Sequence, residues 1–138
     1  MSARPELCAD CGAPFPVNPP GYTGGTGRAR VGRNGPEVCY TCADARCLAE
    51  WNATRPGERF ACYLAADACN VTTWPGGHLA KVFRVNRTKR YTPTGGQWEA
   101  WHIVARDASG RWWHGIGTGP GMLCTLTPCK GTKPPRIR

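Results

Sequence analysis

The sequence predicts an α+β protein in which a small, treble-clef-like four-cysteine zinc finger is followed by a small antiparallel β-sheet or open barrel. Three observations lead to this prediction. Two Cys-x2-Cys pairs lie in the first third of the 138 residues, one segment has helical periodicity, and five or six short strand-like segments follow. The chain divides accordingly into a zinc-finger module (residues 1–57), a β module (58–129) and a basic tail (130–138), which we expect to be disordered.

The zinc ligands are predicted to be Cys8, Cys11, Cys39 and Cys42. Thiolates separated by two residues can both reach one ion, and two such pairs complete the tetrahedral shell of a single structural Zn²⁺. The chain holds nine cysteines, and an odd number argues against a purely disulfide framework. No signal peptide is apparent, so we expect a reducing cytoplasm, where metal binding is favoured over disulfides or free thiols.

The predicted helix covers residues 43–54, because Ala43, Cys47, Leu48 and Trp51 recur at spacings of three and four. It would place Asp44 in the first turn and the second cysteine pair at its beginning. A zinc knuckle, a hairpin and a helix bearing the second pair describe a treble clef. A zinc ribbon, with the second knuckle on a strand turn, is the near alternative.

The segment between the cysteine pairs, residues 13–36, is rich in Pro and Gly and is predicted to be loop with a hairpin turn near residues 33–35. Short runs of apolar and β-branched residues bounded by turn residues then predict the strands. These runs are 60–65, 70–74, 79–86, 98–106, 111–116 and 122–127.

Five further cysteines have no assigned partner: Cys47, Cys62, Cys69, Cys124 and Cys129. The simplest interpretation is that they are small buried hydrophobic residues. The alternative is a second metal site built from Cys124 and Cys129 with His114 or His78, although a spacing of four residues is loose for a zinc knuckle.

Positive charge is concentrated in the second half of the chain. The net charge is +9; residues 1–57 carry six arginines against five acids, and residues 58–138 carry twelve Lys and Arg against four acids. Such a surface favours a polyanionic partner, either nucleic acid of unspecified type or an acidic host protein. No run of about 18 apolar residues occurs, so we expect no transmembrane helix or membrane partner.

Five of the six tryptophans lie between residues 74 and 113, among basic residues. Aromatic and cationic side chains together can stack bases and neutralise phosphates, although Trp74 and one of Trp112 and Trp113 are assigned to the core. Neighbours in a strand point to opposite faces, so we expect one Trp of the pair 112/113, and one of Trp98 and Trp101, to be exposed or covered by a partner. The predicted binding residues are Arg84, Arg87, Lys89, Arg90, Trp98, Trp101, Arg111 and Trp112.

Signatures of catalysis are weak. The glycine-rich run at 115–121 lacks the Lys-Ser/Thr of a phosphate-binding loop, and the three histidines have no evident acidic or nucleophilic partner. We therefore expect a protein that is not an enzyme.

Several short motifs resemble small uncharacterised proteins of bacteriophages that infect high-GC bacteria. They are the knuckle Cys8–Cys11, the Gly/Thr-rich Tyr22–Gly27, the helix start Cys39–Cys42, Trp74-Pro75-Gly76 and the late strand Gly110–Gly115. The resemblance implies a phage-encoded accessory protein in the host cytoplasm. The combined expectation is a nucleic-acid-binding accessory protein whose basic, Trp-rich β module is stabilised by a zinc finger. The alternative is a protein-binding module that inhibits or redirects a host protein.

Overall fold

The computed structural model describes residues 6–15, 27–73 and 76–135, and within these ranges the protein is mostly β with one helix. The elements in chain order are β1 (Arg28–Arg30), β2 (Glu37–Cys39), α1 (Tyr40–Ala53), β3 (Phe60–Leu64), β4 (Asn70–Thr72), β5 (His78–Tyr91), β6 (Gln97–Asp107), β7 (Trp112–Gly117) and β8 (Leu123–Pro128). No helix in the described ranges is both long enough and apolar enough to span a bilayer.

Strands β3 to β8 form a closed antiparallel barrel in sequence order. Closure is made by β3 and β8, where Cys62 lies opposite Cys124. The predicted antiparallel β module is thus confirmed, and the barrel is closed rather than open. Closure leaves the barrel strands without a free edge along their shared length, which removes a common cause of aggregation.

Strands β5 and β6 extend beyond the rest of the barrel. Their pairing continues to Tyr91 opposite Gln97, whereas β7 accompanies β6 only from Trp101 onward and β4 accompanies β5 only as far as Lys81. Residues 88–91 and 97–100 therefore pair only with each other. We call the two-stranded ribbon of residues 87–101 the arm; its part beyond the barrel is roughly 13 Å long at about 3.3 Å per residue, plus the turn.

The barrel core contains a side chain from the helix. Trp51 of α1 is fully buried in the same cluster as the inward residues of the strands, among them Leu64, Val71, Ile103 and Trp113. The boundary predicted at residue 57 therefore divides the chain but not the hydrophobic core, and the helix connects the cysteine-rich module to the barrel.

Helix α1 begins at Tyr40, three residues before its predicted start, and Cys39 is its N-cap. Asp44 consequently lies beyond the first turn, and the expected role at the helix dipole is wrong. Its carboxylate instead accepts hydrogen bonds from the backbone N–H of Gly77 at 3.1 Å and from the Thr73 hydroxyl. The residue thus joins α1 to the turn between β4 and β5.

Trp112 corrects the expectation that one of the adjacent tryptophans is exposed. Trp113 points into the core and Trp112 to the outside, yet both are buried, with exposed fractions of 0% and 5%. The Trp112 indole is covered edge-on by Phe83, and its Nε1 donates to the carbonyl of Thr132 at 3.1 Å. Trp98 is 43% exposed and Trp101 is half-buried, as expected for that pair. The core assignment of Trp74 lies outside the described residues.

The C-terminal segment is placed against the barrel through residue 135. Besides Thr132, Pro135 takes part, because its carbonyl accepts a hydrogen bond from Nη2 of Arg84 at 2.9 Å. Thr132 and Pro135 of the predicted tail thus have defined contacts with the barrel, and residues 136–138 lie outside the described ranges. Backbone carbonyls of the C-terminal segment therefore accept hydrogen bonds from Arg84 and Trp112 on the outer face of the barrel. The sequence alone does not predict these contacts.

Candidate metal centre

The first cysteine pair lies in a tight turn between two short extended segments. Leu7 bridges to Pro14, and the N–H of Cys8 donates to the carbonyl of Ala13 at 2.8 Å. Gly12 follows with a φ of 73°, a conformation that glycine adopts without strain. The turn brings the thiols of Cys8 and Cys11 to one side of the backbone, as a zinc knuckle requires.

The second pair is presented where a hairpin meets the helix. Strands β1 and β2 pair antiparallel around a turn at residues 31–36, which confirms the predicted hairpin. Cys39 ends β2 and caps α1, and Cys42 lies in the first helical turn. The Cys39 N–H also donates to the sulfur of Cys8 at 3.2 Å, so the two halves of the site are joined by the protein itself.

The four predicted ligands come together. The Sγ atoms of Cys8, Cys11, Cys39 and Cys42 all lie within 4.8 Å of one another, and those of Cys11 and Cys39 are 3.9 Å apart. Zn–S bonds of about 2.3 Å place tetrahedral ligands roughly 3.8 Å apart, so the cluster has the dimensions of a tetrathiolate site. The arrangement can hold one metal ion without large movement of the backbone.

The thiols of Cys8 and Cys42 have pKa values shifted in opposite directions. Burial alone would raise the pKa of Cys8, but backbone N–H groups of Cys11, Cys39 and Asp10 favour its thiolate and bring the pKa to about 6. Hydrogen bonding with the Cys39 sulfur, burial and the other two thiols raise the pKa of Cys42 well above its usual value. A metal cation would favour the thiolate form of all four sulfurs, including that of Cys42, whose ionisation the metal-free cluster opposes.

Three ion pairs support the ligand-bearing segments from outside. Arg46 of α1 binds Asp10 through both oxygens at 2.5 Å and lowers the pKa of that carboxyl, which fastens the first knuckle to the helix. On the hairpin, the buried Glu37 accepts from Arg28 at 3.2 Å and from Arg30 at 3.3 Å. Beneath the sulfurs lies a small apolar cluster of Cys8, Phe15, Ala29, Val38 and Ala43.

Six of the eight predicted binding residues lie on or beside the arm. The register places Arg90 and Trp98 opposite each other on its outer face, with Arg84 at the base of the same face. Arg87, Lys89 and Trp101 lie on the other face, where the Arg87 guanidinium is 5.3 Å from the Trp101 ring centre. In the described part of the chain, none of these four cations forms an ion pair with an acid.

Arg111 and Trp112 do not belong to this surface. The Arg111 guanidinium donates to the carbonyls of Thr54 at 2.6 Å and of Trp51 at 2.7 Å, which satisfies the end of α1. Trp112 is covered by the C-terminal segment, as described above. The structure therefore places Arg111 and Trp112 away from the arm.

The alternative second metal site is not formed. Cys124 points into the barrel, where its Sγ is 3.6 Å from that of Cys62, and the only cluster of metal-ligating side chains within the described ranges is the one at Cys8. Cys47 and Cys129 are half-buried and Cys69 is exposed. The simple interpretation as buried residues therefore holds fully for Cys62 and Cys124.

Sequence reasoning missed two features. The buried carboxylate of Asp107 accepts from the indoles of both Trp51 and Trp113, and a basic cleft lies beside it between β5 and β6. No local sequence signal indicates the buried partners of Asp107. Comparison with protein-family models, curated proteins and solved structures finds no match.

Proposed function

We propose that this protein binds nucleic acid through the arm, and that a single structural zinc ion holds the N-terminal module on which the arm-bearing barrel depends. The observation that carries the proposal is the arm itself. It is a β-ribbon that leaves the barrel, and in the described chain Arg87, Lys89 and Arg90 form no ion pair. Its only acid, Glu99, lies opposite Lys89 in the register, so three cations face one acid on the arm. Uncompensated cations on a projecting element contact phosphates at little desolvation cost.

The ribbon has dimensions that suit a nucleic-acid groove. The major groove of B-form DNA is about 12 Å wide and admits a two-stranded β-ribbon. Cations on both faces of the arm would then meet phosphates on both groove walls. A ribbon with cations on one face alone would suit binding against a flat surface. Arg87 and Arg90 lie on opposite faces of the arm, and this arrangement supports its insertion into a groove.

Trp98 adds a stacking surface to the outer face. Its ring is 43% exposed and lies opposite Arg90 in the register. A base–aromatic stack contributes about 1–3 kcal/mol per base and is tolerant of sequence. Trp98 is therefore suited to stack on an unpaired base, whereas the cations can contact the phosphates of single-stranded or double-stranded nucleic acid.

The proposed metal is zinc, and the proposed finger is treble-clef-like. A sulfur-only, four-ligand shell is typical of structural zinc and has no open position for a substrate. A knuckle, a hairpin and a helix whose first turn supplies the last ligands occur here in that order. When bound, the ion would cross-link residues 8–11 to the start of α1.

A second candidate is a module that binds an acidic protein. It is favoured by the exposure of Tyr91, which is 72% exposed at the end of the arm near Trp98. Exposed aromatic and arginine side chains are common anchors of protein interfaces. The distinguishing observation is whether a stoichiometric partner stays bound after nuclease treatment of a host lysate.

The test is a titration of double- and single-stranded DNA and RNA at two salt concentrations, read by fluorescence anisotropy. For the wild type we expect affinity that falls steeply with salt, and for the triple variant R87A/K89A/R90A a salt slope lower by about 3, near 0.9 per lost phosphate contact. The matched control is R33A/R55A/K130A, which removes equal charge from exposed positions off the arm. Equal weakening by both variants, or no binding, would overturn the proposal.

A further inference from the structure

A cleft on the outer face of the barrel lies between β5, β6 and the turn that follows β6. Its volume is about 720 Å³, and its lining includes His78, Lys81, Phe83, Arg106, Ser109 and Trp112. This volume is within the range of small-molecule sites, which is about 300–1,000 Å³. The cleft lies at the barrel end of β5, away from the tip of the arm.

The cleft carries positive charge that the protein does not compensate. Lys81 lies directly opposite Arg106 in the register of β5 and β6. Like charges in that position destabilise a sheet, and in the described chain neither side chain forms an ion pair with an acid. The one acid in the lining, Asp107, directs its oxygens to Ser109 and to the indoles of Trp51 and Trp113.

The guanidinium of Arg106 is already held in place. Its centre is 5.3 Å from the centre of the Trp112 ring, and its Nε donates to the carbonyl of Gly110 at 3.3 Å. Gly110, whose carbonyl accepts this hydrogen bond, has a φ of 88°, a left-handed conformation that glycine adopts without strain. A restrained arginine loses less conformational entropy when it binds an anion than a mobile one.

An aromatic ring stands beside the two cations. A bulge between Val82 and Arg84 interrupts the pairing of β5 with β6 and turns Phe83 outward, where it is 59% exposed. The ring contacts Trp112 edge-on, with centroids 4.9 Å apart, and this contact restricts its orientation. Bulges often redirect a side chain toward a binding site.

We propose that this cleft binds a nucleotide, with the phosphate between Lys81 and Arg106 and the base against Phe83. A bare anion would need only the cations, whereas the open aromatic ring beside them suits a ligand that joins negative charge to a flat ring. The ligand can be a free mononucleotide or one unit of a single-stranded nucleic acid. The site uses none of the arm residues and does not depend on the proposed function.

The test is an NMR titration of the metal-loaded full chain with adenosine 5′-monophosphate, adenosine, inorganic phosphate and a short single-stranded oligonucleotide. We expect the monophosphate to shift the amides of Lys81, Phe83 and Arg106 and the indole signal of Trp112, and adenosine or phosphate alone to bind about tenfold more weakly. The oligonucleotide is also titrated into R87A/K89A/R90A, in which the arm cations are absent. In that variant, tighter binding of the oligonucleotide at the cleft signals identifies a strand as the source, and tighter binding of the monophosphate identifies a free nucleotide. If neither the monophosphate nor the oligonucleotide shifts these signals, the proposal is overturned.

Exposed positions allow variants that do not disturb the core. K81A and F83A should each weaken monophosphate binding about tenfold, while K130A, which removes an exposed lysine elsewhere, should leave it unchanged. R87A/K89A/R90A should also retain it, so failure of the arm and failure of the cleft are distinguishable. Wild-type affinity in K81A, or loss of binding in the arm variant, would show that the cleft is not the site.

Discussion

The indole of Trp51 stacks on the indole of Trp113 with ring centroids 3.6 Å apart and planes inclined by 20°. Trp51 belongs to the helix that begins at the cysteine cluster, and Trp113 belongs to the wall of the barrel. Both indole N–H groups donate to one oxygen of Asp107, at 3.1 and 2.9 Å. The cysteine-rich module and the barrel are therefore joined through a shared core, and we expect them to unfold together.

Replacing Trp51 with alanine should destabilise the whole protein. The fully buried ring leaves a large cavity, and Trp→Ala in a core costs about 3–5 kcal/mol. Denaturant unfolding followed by circular dichroism measures the loss. Trp98→Ala removes the same side chain from an exposed site and should change the free energy of unfolding by no more than about 0.5 kcal/mol. A similar loss in both variants would contradict the shared core.

The carboxylate of Asp107 should make stability depend on pH. Burial raises its pKa, but hydrogen bonds from Ser109, Trp113, Trp51 and the Arg111 backbone outweigh that effect and lower it below the ordinary value. A lowered folded-state pKa gives stabilisation that is complete above the unfolded value of about 3.9 and is lost as pH falls through the folded pKa.

Asp107→Asn should therefore lower the free energy of unfolding by about 1–3 kcal/mol near neutral pH, and the gap to wild type should narrow as the pH falls below the unfolded-state value of about 3.9. The variant and wild type carry the same cysteines, so acid release of metal affects both equally. Asp67→Asn, in an exposed turn, is the control and should follow the wild type at each pH. A gap that stays constant across the range would show that ionisation is not involved.

Removal of metal should weaken the barrel as well as the finger. The first turn of α1 carries Cys42 and its last turn carries Trp51, so loss of the ion loosens a helix that fills the barrel core. We expect one zinc per chain by elemental analysis and a lower Tm after chelation. Cys42→Ser should behave like the chelated protein and Cys69→Ser like the wild type. A metal-free chain with unchanged Tm would contradict this coupling.

Thiol reactivity should rank the cysteines by their positions. Cys69 is exposed, whereas Cys62 and Cys124 face each other inside the barrel, where hydrogen bonding with Cys124 and burial raise the pKa of Cys62. In the metal-loaded protein an aromatic disulfide reagent should titrate Cys69 first, and Cys69→Ser should remove this fast phase. The barrel pair should react only at the rate of global unfolding. Fast labelling of Cys62 in the folded protein would indicate an open barrel seam.

How much of the structure the sequence predicts depends on the range of the interaction. The ligand set depends on two short spacings, Cys8–Cys11 and Cys39–Cys42, and was predictable because each knuckle is local. The strands were predictable from alternation and turns. The early start of α1 was not, because Cys39 caps the helix without a side-chain hydrogen bond and the apolar periodicity begins only at Ala43.

Long-range contacts explain the errors. Alternation correctly places Trp112 on the outer face of β7, but its burial comes from Phe83 and from Thr132, some twenty residues later in the chain. The length of the arm was also missed, because residues 87–91 are polar and resemble a loop when their partner strand is unknown. Pairing with 97–101 gives them their strand conformation.

Gly115 gives a test of the closed barrel. On its inward side, a Cβ would lie 1.9 Å from the carbonyl oxygen of Thr125 and 2.8 Å from Cα of Leu126, both backbone atoms of β8. Gly115→Ala must therefore separate β7 from β8, and we expect a loss of about 1–3 kcal/mol or more in the free energy of unfolding. Gly131→Ala is the matched control, since its Cβ would meet no atom nearer than 4.0 Å. If Gly115→Ala is as stable as that control in denaturant unfolding, β7 and β8 do not approach as closely as a closed barrel requires.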